Sequence, residues 1–383
     1  MIDSCHAIPP HPDRHPRILH VTECFLGGTR SAILSYAGDI PEMDHGLLGT
    51  LGRSRGDLNA PDEKFLEVHA LPDGHLARIR AIRSLVVAWQ PDIIHAHSSF
   101  AGVYVRLAIR NSPRHRVVYT PHAYGFERLD IGPVKRAAIH AAEALLTRNT
   151  EVIAACSTRE QKLAHDMHAR RTVFVPNVAA AQFHTHDAVR SLPEHRVVTV
   201  MGRIVPQRDP EFICRVADEL ARSDRETTIQ WIGDGDPDGV AALRRHGIKV
   251  TGWLDAADIM VRLEKSSAYL HPGRWEGFPV AILEAHAMGL PIIARDAAYL
   301  YDAPSGVRGS NPSEIAKALV SLVADESARR SNYALWSAHL NHNTSEAQRA
   351  ALLEVYTPQS TPSSPDNHRS CLLYTSDAAD ERS

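Results

Sequence analysis

His271-Pro-Gly-Arg-Trp-Glu276-Gly-Phe-Pro-Val-Ala-Ile-Leu-Glu284-Ala-His-Ala-Met-Gly-Leu-Pro291 joins one short apolar run, Ala268–Leu270, to another, Pro291–Ala294. The spacing predicts a strand, a loop, a helix over Pro279–Met288 and a second strand. Pro279 suits the first helical turn because it has no N–H to leave unpaired. Gly277 lets the backbone come close to a ligand, and the free N–H groups of the first turn favour an anion. Glu284 stands among Ala, Ile, Leu and Met, on the face shared by Val280 and Ala287. A buried carboxylate needs hydrogen-bond donors, and the vicinal diol of a ribose offers two. Spacing alone leaves this reading level with a Glu that simply emerges at the surface.

The same alternation extends in both directions. Strand candidates in the first half are Arg17–Thr22, Asp92–His97, Arg116–Thr120, Glu151–Ala155 and Thr172–Val175, with helices such as Ser31–Gly38 and Leu76–Trp89 between them. In the second half they are Arg196–Met201, Thr228–Ile232, Lys249–Thr251, Ala268–Leu270 and Pro291–Ala294, with helices at Glu211–Ser223 and Ser313–Val323. Such alternation predicts an α/β fold of two parallel-sheet, Rossmann-like units. Periodicity lapses near Ala179–Glu194. The expected organisation is therefore a tail over 1–16, a first unit over 17–185, a second over 186–356 and a Pro/Ser-rich tail over 357–370. Open sheets bind ligands beyond the C-terminal ends of their strands, so the cleft between the units is the expected site.

Candidate residues cluster at those strand ends. Gly202-Arg203 and Arg208 follow the first strand of the second half, where two guanidiniums can clamp a diphosphate and offset leaving-group charge. Gly27 and Gly28 lie in a βα loop, and Pro121-His122 follows another strand. A single strand-end His is more often structural than functional, and the position of His122 brings the two readings level. Asp234-Gly-Asp236-Pro-Asp238-Gly239 begins like a calcium loop, but Arg245 stands where a bidentate Glu is needed, so a polar turn is the better reading. His95 and His97 share a side of their strand without an evident third metal ligand.

Taken together these segments resemble the family 4 retaining glycosyltransferases of the GT-B fold, the glycosyl transferases group 1. Glu276 and Glu284 match the family's E-x7-E motif inside Trp-Glu-Gly-Phe-Pro, and the resemblance spans residues 17–356 in ordered segments. It implies that Glu284 binds the nucleotide ribose and Glu276 the donor sugar, with backbone amides beside Gly277, Phe278 and Pro279 facing sugar and phosphate and Val280 among the donor-binding residues. It implies that Gly202, Arg203 and Arg208 hold the diphosphate, although the family has Lys where Arg208 stands, which alters donor geometry. Gly27 and Gly28 match its glycine loop, and His122 a histidine that reaches the transferred sugar. Gly233 and Trp253 lie in matching strand-end segments, Trp253 near the base. Val175-Pro-Asn177-Val178 resembles the family's Pro-Asn turn but lacks the Gly that follows.

The implied activity is a hexosyltransferase-type transfer from a nucleoside-diphosphate sugar to an acceptor hydroxyl, retaining and metal-independent. No cofactor is expected beyond the donor as co-substrate. A glycan or lipid-linked acceptor, in polysaccharide or glycolipid assembly, is the implied partner. The alternatives are a nucleotide-sugar epimerase or phosphorylase on the same fold, a binder without turnover, and a two-lobed periplasmic binding protein.

Composition narrows the field. At 383 residues, 44% hydrophobic and 23% charged, the chain has the make-up of a two-domain globular protein. The net charge of −3 gives no reason to expect nucleic acid. Lys and Arg number 22 against 19 Asp and Glu before residue 191, and 20 against 26 after it. Basic groups such as Lys135 and Arg136 read as solvated helix faces, or as weak attraction of the first unit to an anionic membrane. No apolar run reaches the length of a membrane span. Cys5, Cys24, Cys156, Cys214 and Cys371 are odd in number and scattered, which fits reduced thiols and a cytoplasmic setting, with peripheral contact at the inner membrane face. Residues 371–383 resemble the translation of a sequencing adapter and are excluded from fold reasoning.

Overall fold

The computed structural model describes residues 14–50, 63–183, 186, 188–192 and 194–358. Most of the N-terminal tail and all of the adapter-like run, with Cys5 and Cys371, lie outside the described residues.

Seven strands form the first sheet: β1 Arg17–Thr22, β2 Asp44–Gly49, β3 Glu67–Ala70, β4 Ile93–His97, β5 Arg116–Thr120, β6 Val152–Ala155 and β7 Thr172–Phe174. Their order is β3-β2-β1-β4-β5-β6-β7, and every pairing is parallel. β4 and β5 are buried throughout, as expected for a parallel sheet covered on both faces. Six strands form the second sheet: β8 Val197–Met201, β9 Thr228–Ile232, β10 Lys249–Val250, β11 Ala268–His271, β12 Ile292–Arg295 and β13 Arg308–Gly309. Their order is β10-β9-β8-β11-β12-β13, again all parallel. Strand order reverses at β1 and at β8, and a crevice opens outside the strand ends at each reversal.

The helices follow from local chemistry. Helix Pro210–Ser223 begins at Asp209, whose side chain accepts from the Phe212 N–H, with proline at the first helical position. It buries Phe212, Ile213, Val216 and Leu220 at helical spacing. Helix Val280–Ala287 has no polar face; Val280, Ile282, Leu283, Ala285 and Ala287 are all buried, so it is wedged in the second unit's interior. Asp236 caps helix Pro237–Arg245 through the Gly239 N–H at 3.0 Å, and Asp234 turns onto the Gly235 N–H at 2.9 Å. The Asp-rich segment is thus a polar turn and a cap.

β2, β3 and β13 are absent from the sequence reading. β2 carries two glycines, which weaken any strand signal; Gly46 is needed because an added Cβ would stand 2.9 Å from the Trp89 ring. β3 and β13 are only four and two residues long, too short for periodicity to register.

Sequence order places the last helix, Ser345–Tyr356, in the second unit, yet it seats on the first sheet. Leu352, Val355 and Tyr356 pack with Ile18, Ile93, Val118, Val152 and Val173. Arg116 donates to the carbonyls of Tyr356 at 2.5 Å and Val355 at 2.9 Å, placing a cation on the helix C-terminus. The chain therefore crosses between the units twice, and the crossings touch: Asn343 Nδ2 donates to the Asn177 carbonyl at 2.8 Å. Asn177 Nδ2 in turn donates to the Phe278 carbonyl at 2.9 Å.

Candidate active site

The second unit contributes a charged wall. The loop after β8 carries Arg203 and Arg208. Arg208 points inward, its Nη1 2.6 Å from Glu276 Oε1 and 3.0 Å from His271 Nε2. The first contact is an ion pair rather than an aligned hydrogen bond, since Glu276 Oε1 has no hydrogen-bond partner. Burial pushes the Glu276 carboxyl up, with Arg208 and then Arg203 opposing it. His271 is held neutral by burial and then by Arg208. Arg203 is exposed, without a hydrogen bond or ion pair among the described residues. Its charge bears on Glu276 and on Cys24 across the cleft.

Glu284 lies on the second turn of helix Val280–Ala287, half-buried and without a polar side-chain partner among the described residues. Burial alone pushes its carboxyl up to about 8. An unpartnered carboxyl held near neutrality is a group short of hydrogen-bond donors.

Gly202 and Gly233 serve each other. A Cβ at Gly233 would stand 2.2 Å from the Gly202 carbonyl oxygen, and the Gly233 N–H donates to the Gly252 carbonyl at 3.0 Å. These glycines lock the strand ends that carry Arg203 and Arg208. Trp253, beyond them, is 64% exposed.

The first unit contributes a neutral wall. His122 and Ala123 both have left-handed backbone, at φ 48° and 83°, a costly conformation for residues with a Cβ. Glu160 clamps this turn: its Oε1 accepts from the Ala123 N–H at 2.7 Å and its Oε2 from the Cys156 N–H at 2.9 Å. Burial lifts Glu160 to about 7 against those two bonds. Burial lowers His122 to about 4, so its ring is neutral at pH 7. Its Nε2 lies 3.1 Å from His97 Nδ1.

The sequence reading found no third ligand beside His95 and His97; the structure corrects this, because β1 brings His20 alongside, with one nitrogen of each within 4.8 Å of the others. Its sequence distance from β4 hid it. Glu160 was missed as well, since a helix carboxylate gives no sign that it will fold back onto a distant turn.

Across the cleft the walls touch. A Cβ at Gly277 would meet Cys156 Sγ at 2.7 Å, Glu160 Oε1 at 2.9 Å and the Ala123 nitrogen at 3.0 Å. The close approach expected of Gly277 toward a ligand is made here toward the first unit's own clamp. Gly27, at φ 53°, begins helix Gly27–Asp39, and a Cβ at Gly28 would stand 3.7 Å from the Val280 side chain. Pro279 immediately precedes helix Val280–Ala287, and Phe278 packs against the second unit's core. A cavity of about 390 Å³ lies between the units, lined by Phe126, Arg159, Arg274, Glu276, Arg295 and Tyr299 among others. It shares Glu276 with the charged wall but does not reach Glu284 or His122.

Two family profiles match the chain: Glycosyl transferases group 1 over residues 195–325 and Glycosyl transferase 4-like domain over residues 47–178. One relative is an uncharacterised 41.2 kDa protein of the cps region of Klebsiella pneumoniae, 28% identical over 55% of this chain and 61% of that one. Another is the Escherichia coli UDP-Gal:alpha-D-GlcNAc-diphosphoundecaprenol alpha-1,3-galactosyltransferase, 26% identical over 53% and 57%. The chain thus spans little more than half the length of the curated relatives it matches. Among solved structures, HepE of Anabaena in complex with UDP and glucose superposes with a TM-score of 0.70 at 16% identity, covering 89% of this chain and 99% of that one. The two-sheet architecture is that of the GT-B glycosyltransferases. Residues 195–325 belong to the glycosyl transferases group 1, and residues 47–178 to the glycosyl transferase 4-like domains.

Proposed function

We propose that the chain transfers a sugar from a nucleoside diphosphate to a hydroxyl of a glycan or lipid-linked acceptor, with retention and without a metal. The observation that carries this reading is Glu284, a carboxyl without a polar side-chain partner among the described residues, on the same side of the second unit as Arg208 and Glu276 and facing the wall that holds His122. A ribose diol supplies the donors Glu284 lacks. Arg203 has no competing partner among the described residues, and Arg208 can turn from Glu276 to the diphosphate, which frees Glu276 for the sugar hydroxyls. The two guanidiniums then offset leaving-group charge, the task a metal would otherwise perform. His122 meets the sugar from the opposite wall when the units close, and the cavity beyond Glu276 admits the acceptor. A double displacement needs a carboxylate nucleophile behind the anomeric carbon. None of the assigned groups takes that role, so the acceptor attacks from the face the leaving group departs.

Relatives support the substrate class: one is named for a UDP-sugar and a diphosphoundecaprenol-linked acceptor. By analogy the chain works in polysaccharide or glycolipid assembly at the cytoplasmic face of a membrane. No helix among the described residues is long and apolar enough to cross one.

Thermal stabilisation by UDP, GDP and ADP, with and without EDTA, tests the donor site. The expected result is a shift with one nucleotide that ignores EDTA and vanishes in Glu284→Ala. No shift with any nucleotide in folded protein would favour a binder of another ligand. Product analysis separates transfer from epimerisation or phosphorolysis.

A further inference from the structure

Behind the neutral wall, four histidines form an unbroken row across β2, β1 and β4 to the loop after β5. His45 Nε2 lies 3.0 Å from the Ile40 carbonyl oxygen. His45 Nδ1 lies 3.0 Å from His20 Nε2, His20 Nδ1 3.0 Å from His97 Nε2, and His97 Nδ1 3.1 Å from His122 Nε2. His20 and His97 are fully buried and His45 nearly so. Burial holds all four below the ordinary histidine range, and for His20 and His97 the neighbouring rings add to the effect.

A neutral imidazole has one N–H and one lone pair. The row has four contacts, each needing one proton, and four rings supply four. A backbone carbonyl accepts and cannot donate, so the contact with Ile40 fixes the proton on His45 Nε2. Its Nδ1 must then accept from His20 Nε2–H, whose Nδ1 accepts from His97 Nε2–H, whose Nδ1 accepts from His122 Nε2–H. No alternative arrangement of neutral rings satisfies every contact. His122 Nδ1 is left as a lone pair, with no protein partner among the described residues.

We propose that His97, His20 and His45 are positioning residues that hold His122 as its Nε2–H tautomer, so that Nδ1 accepts a hydrogen bond from a hydroxyl of the transferred sugar. The sugar contact rests on the function proposed above; the tautomer does not. The competing use of this cluster is a metal held by His20, His95 and His97. It would have to displace existing bonds, because both nitrogens of His20 and His97 are occupied. Those of His95 are held by Tyr356 Oη at 2.7 Å and Thr120 Oγ1 at 2.8 Å.

Long-range proton–nitrogen correlation spectra of the full chain, with histidine labelled, read the tautomer of each ring at pH 7. The expected pattern is Nε2–H for His45, His20, His97 and His122. His20→Leu removes the acceptor for His97 and should turn His97 and His122 to mixed tautomers. In His20→Gln the amide can both accept from His97 and donate to His45, so the pattern should survive. A wrongly held histidine tautomer is costly, so His20→Leu should lower kcat by about tenfold or more while leaving the donor KM unchanged, and His20→Gln should recover most of the loss. An Nδ1–H form of His122 in the unaltered protein, equal kcat for His20→Leu and the unaltered chain, or zinc retained at one per chain after EDTA dialysis would overturn the proposal. If the unaltered chain transfers no sugar, the functional reading fails, and the spectra alone decide the tautomer.

Discussion

The two walls of the cleft are built on the same architecture and present opposite chemistry. At the reversal of the second sheet stand two guanidiniums and two carboxyls: Arg208 pairs with Glu276, while Arg203 and Glu284 have no side-chain partner among the described residues. In the loop after β5 of the first sheet stands a histidine kept neutral, its turn clamped by Glu160 and its ring against a row of buried imidazoles. A charged wall suits a diphosphate, whose charge is always present. A neutral wall suits a sugar, whose hydroxyls are read by hydrogen-bond direction. On the proposed reading the division assigns one part of the donor to each unit, and it can be tested one wall at a time.

The largest effect should come from Arg208→Ala, which removes a phosphate contact and leaves the Glu276 carboxyl without its ion pair. Loss of a group that stabilises transition-state charge costs about 10²–10³-fold in kcat, and steady-state kinetics should read it. His122→Ala should cost about 10²-fold in kcat as the sugar contact is lost, with nucleotide affinity by calorimetry unchanged. Weakened nucleotide binding in that variant would break the division of labour.

Glu284 gives a signed pH test. Burial raises its carboxyl to about 8, and ribose hydroxyls that donate to it favour the ionised form, so binding releases a proton. Nucleotide affinity should therefore rise with pH toward 8 and then level, while Glu284→Gln should lose that component of the profile. An identical profile in both would remove Glu284 from the ribose. Gly277→Ala should leave nucleotide affinity intact but lower kcat, because the added methyl meets Cys156 and Glu160 as the walls close. Tyr356→Phe, which takes the hydroxyl from His95, should cost about 1 kcal/mol of stability in a denaturant titration.

Both sheets could be read from periodicity because their central strands are apolar, β-branched and separated by long helical stretches. β2 escaped notice because Gly46 and Gly49 dilute it. Of the candidate site, the charged wall was the readable half: Glu276, Glu284, Arg203 and Arg208 are unusual residues in short, ordered segments. The neutral wall was readable only at His122. Its support comes from His20, His45 and Glu160, which register pairing and folding back bring together, and local spacing carries no trace of such contacts. His95 and His97 announced themselves by alternation, but their neighbours on β1 and β2 could not.

Because the last helix returns to the first sheet, two covalent bridges join the units, and Asn343 ties them side by side at Asn177. A single bridge would let one unit twist, slide or swing against the other. Two bridges fastened together leave one soft axis, like a door on a paired hinge. Asn177 also holds the Phe278 carbonyl, so that axis runs beside the start of the helix bearing Glu284. Motion about that axis would sweep the far lip of the cleft widely while displacing Glu284 little. On the proposed reading a nucleotide would then stay seated near the pivot while the sugar and acceptor end is exposed and covered.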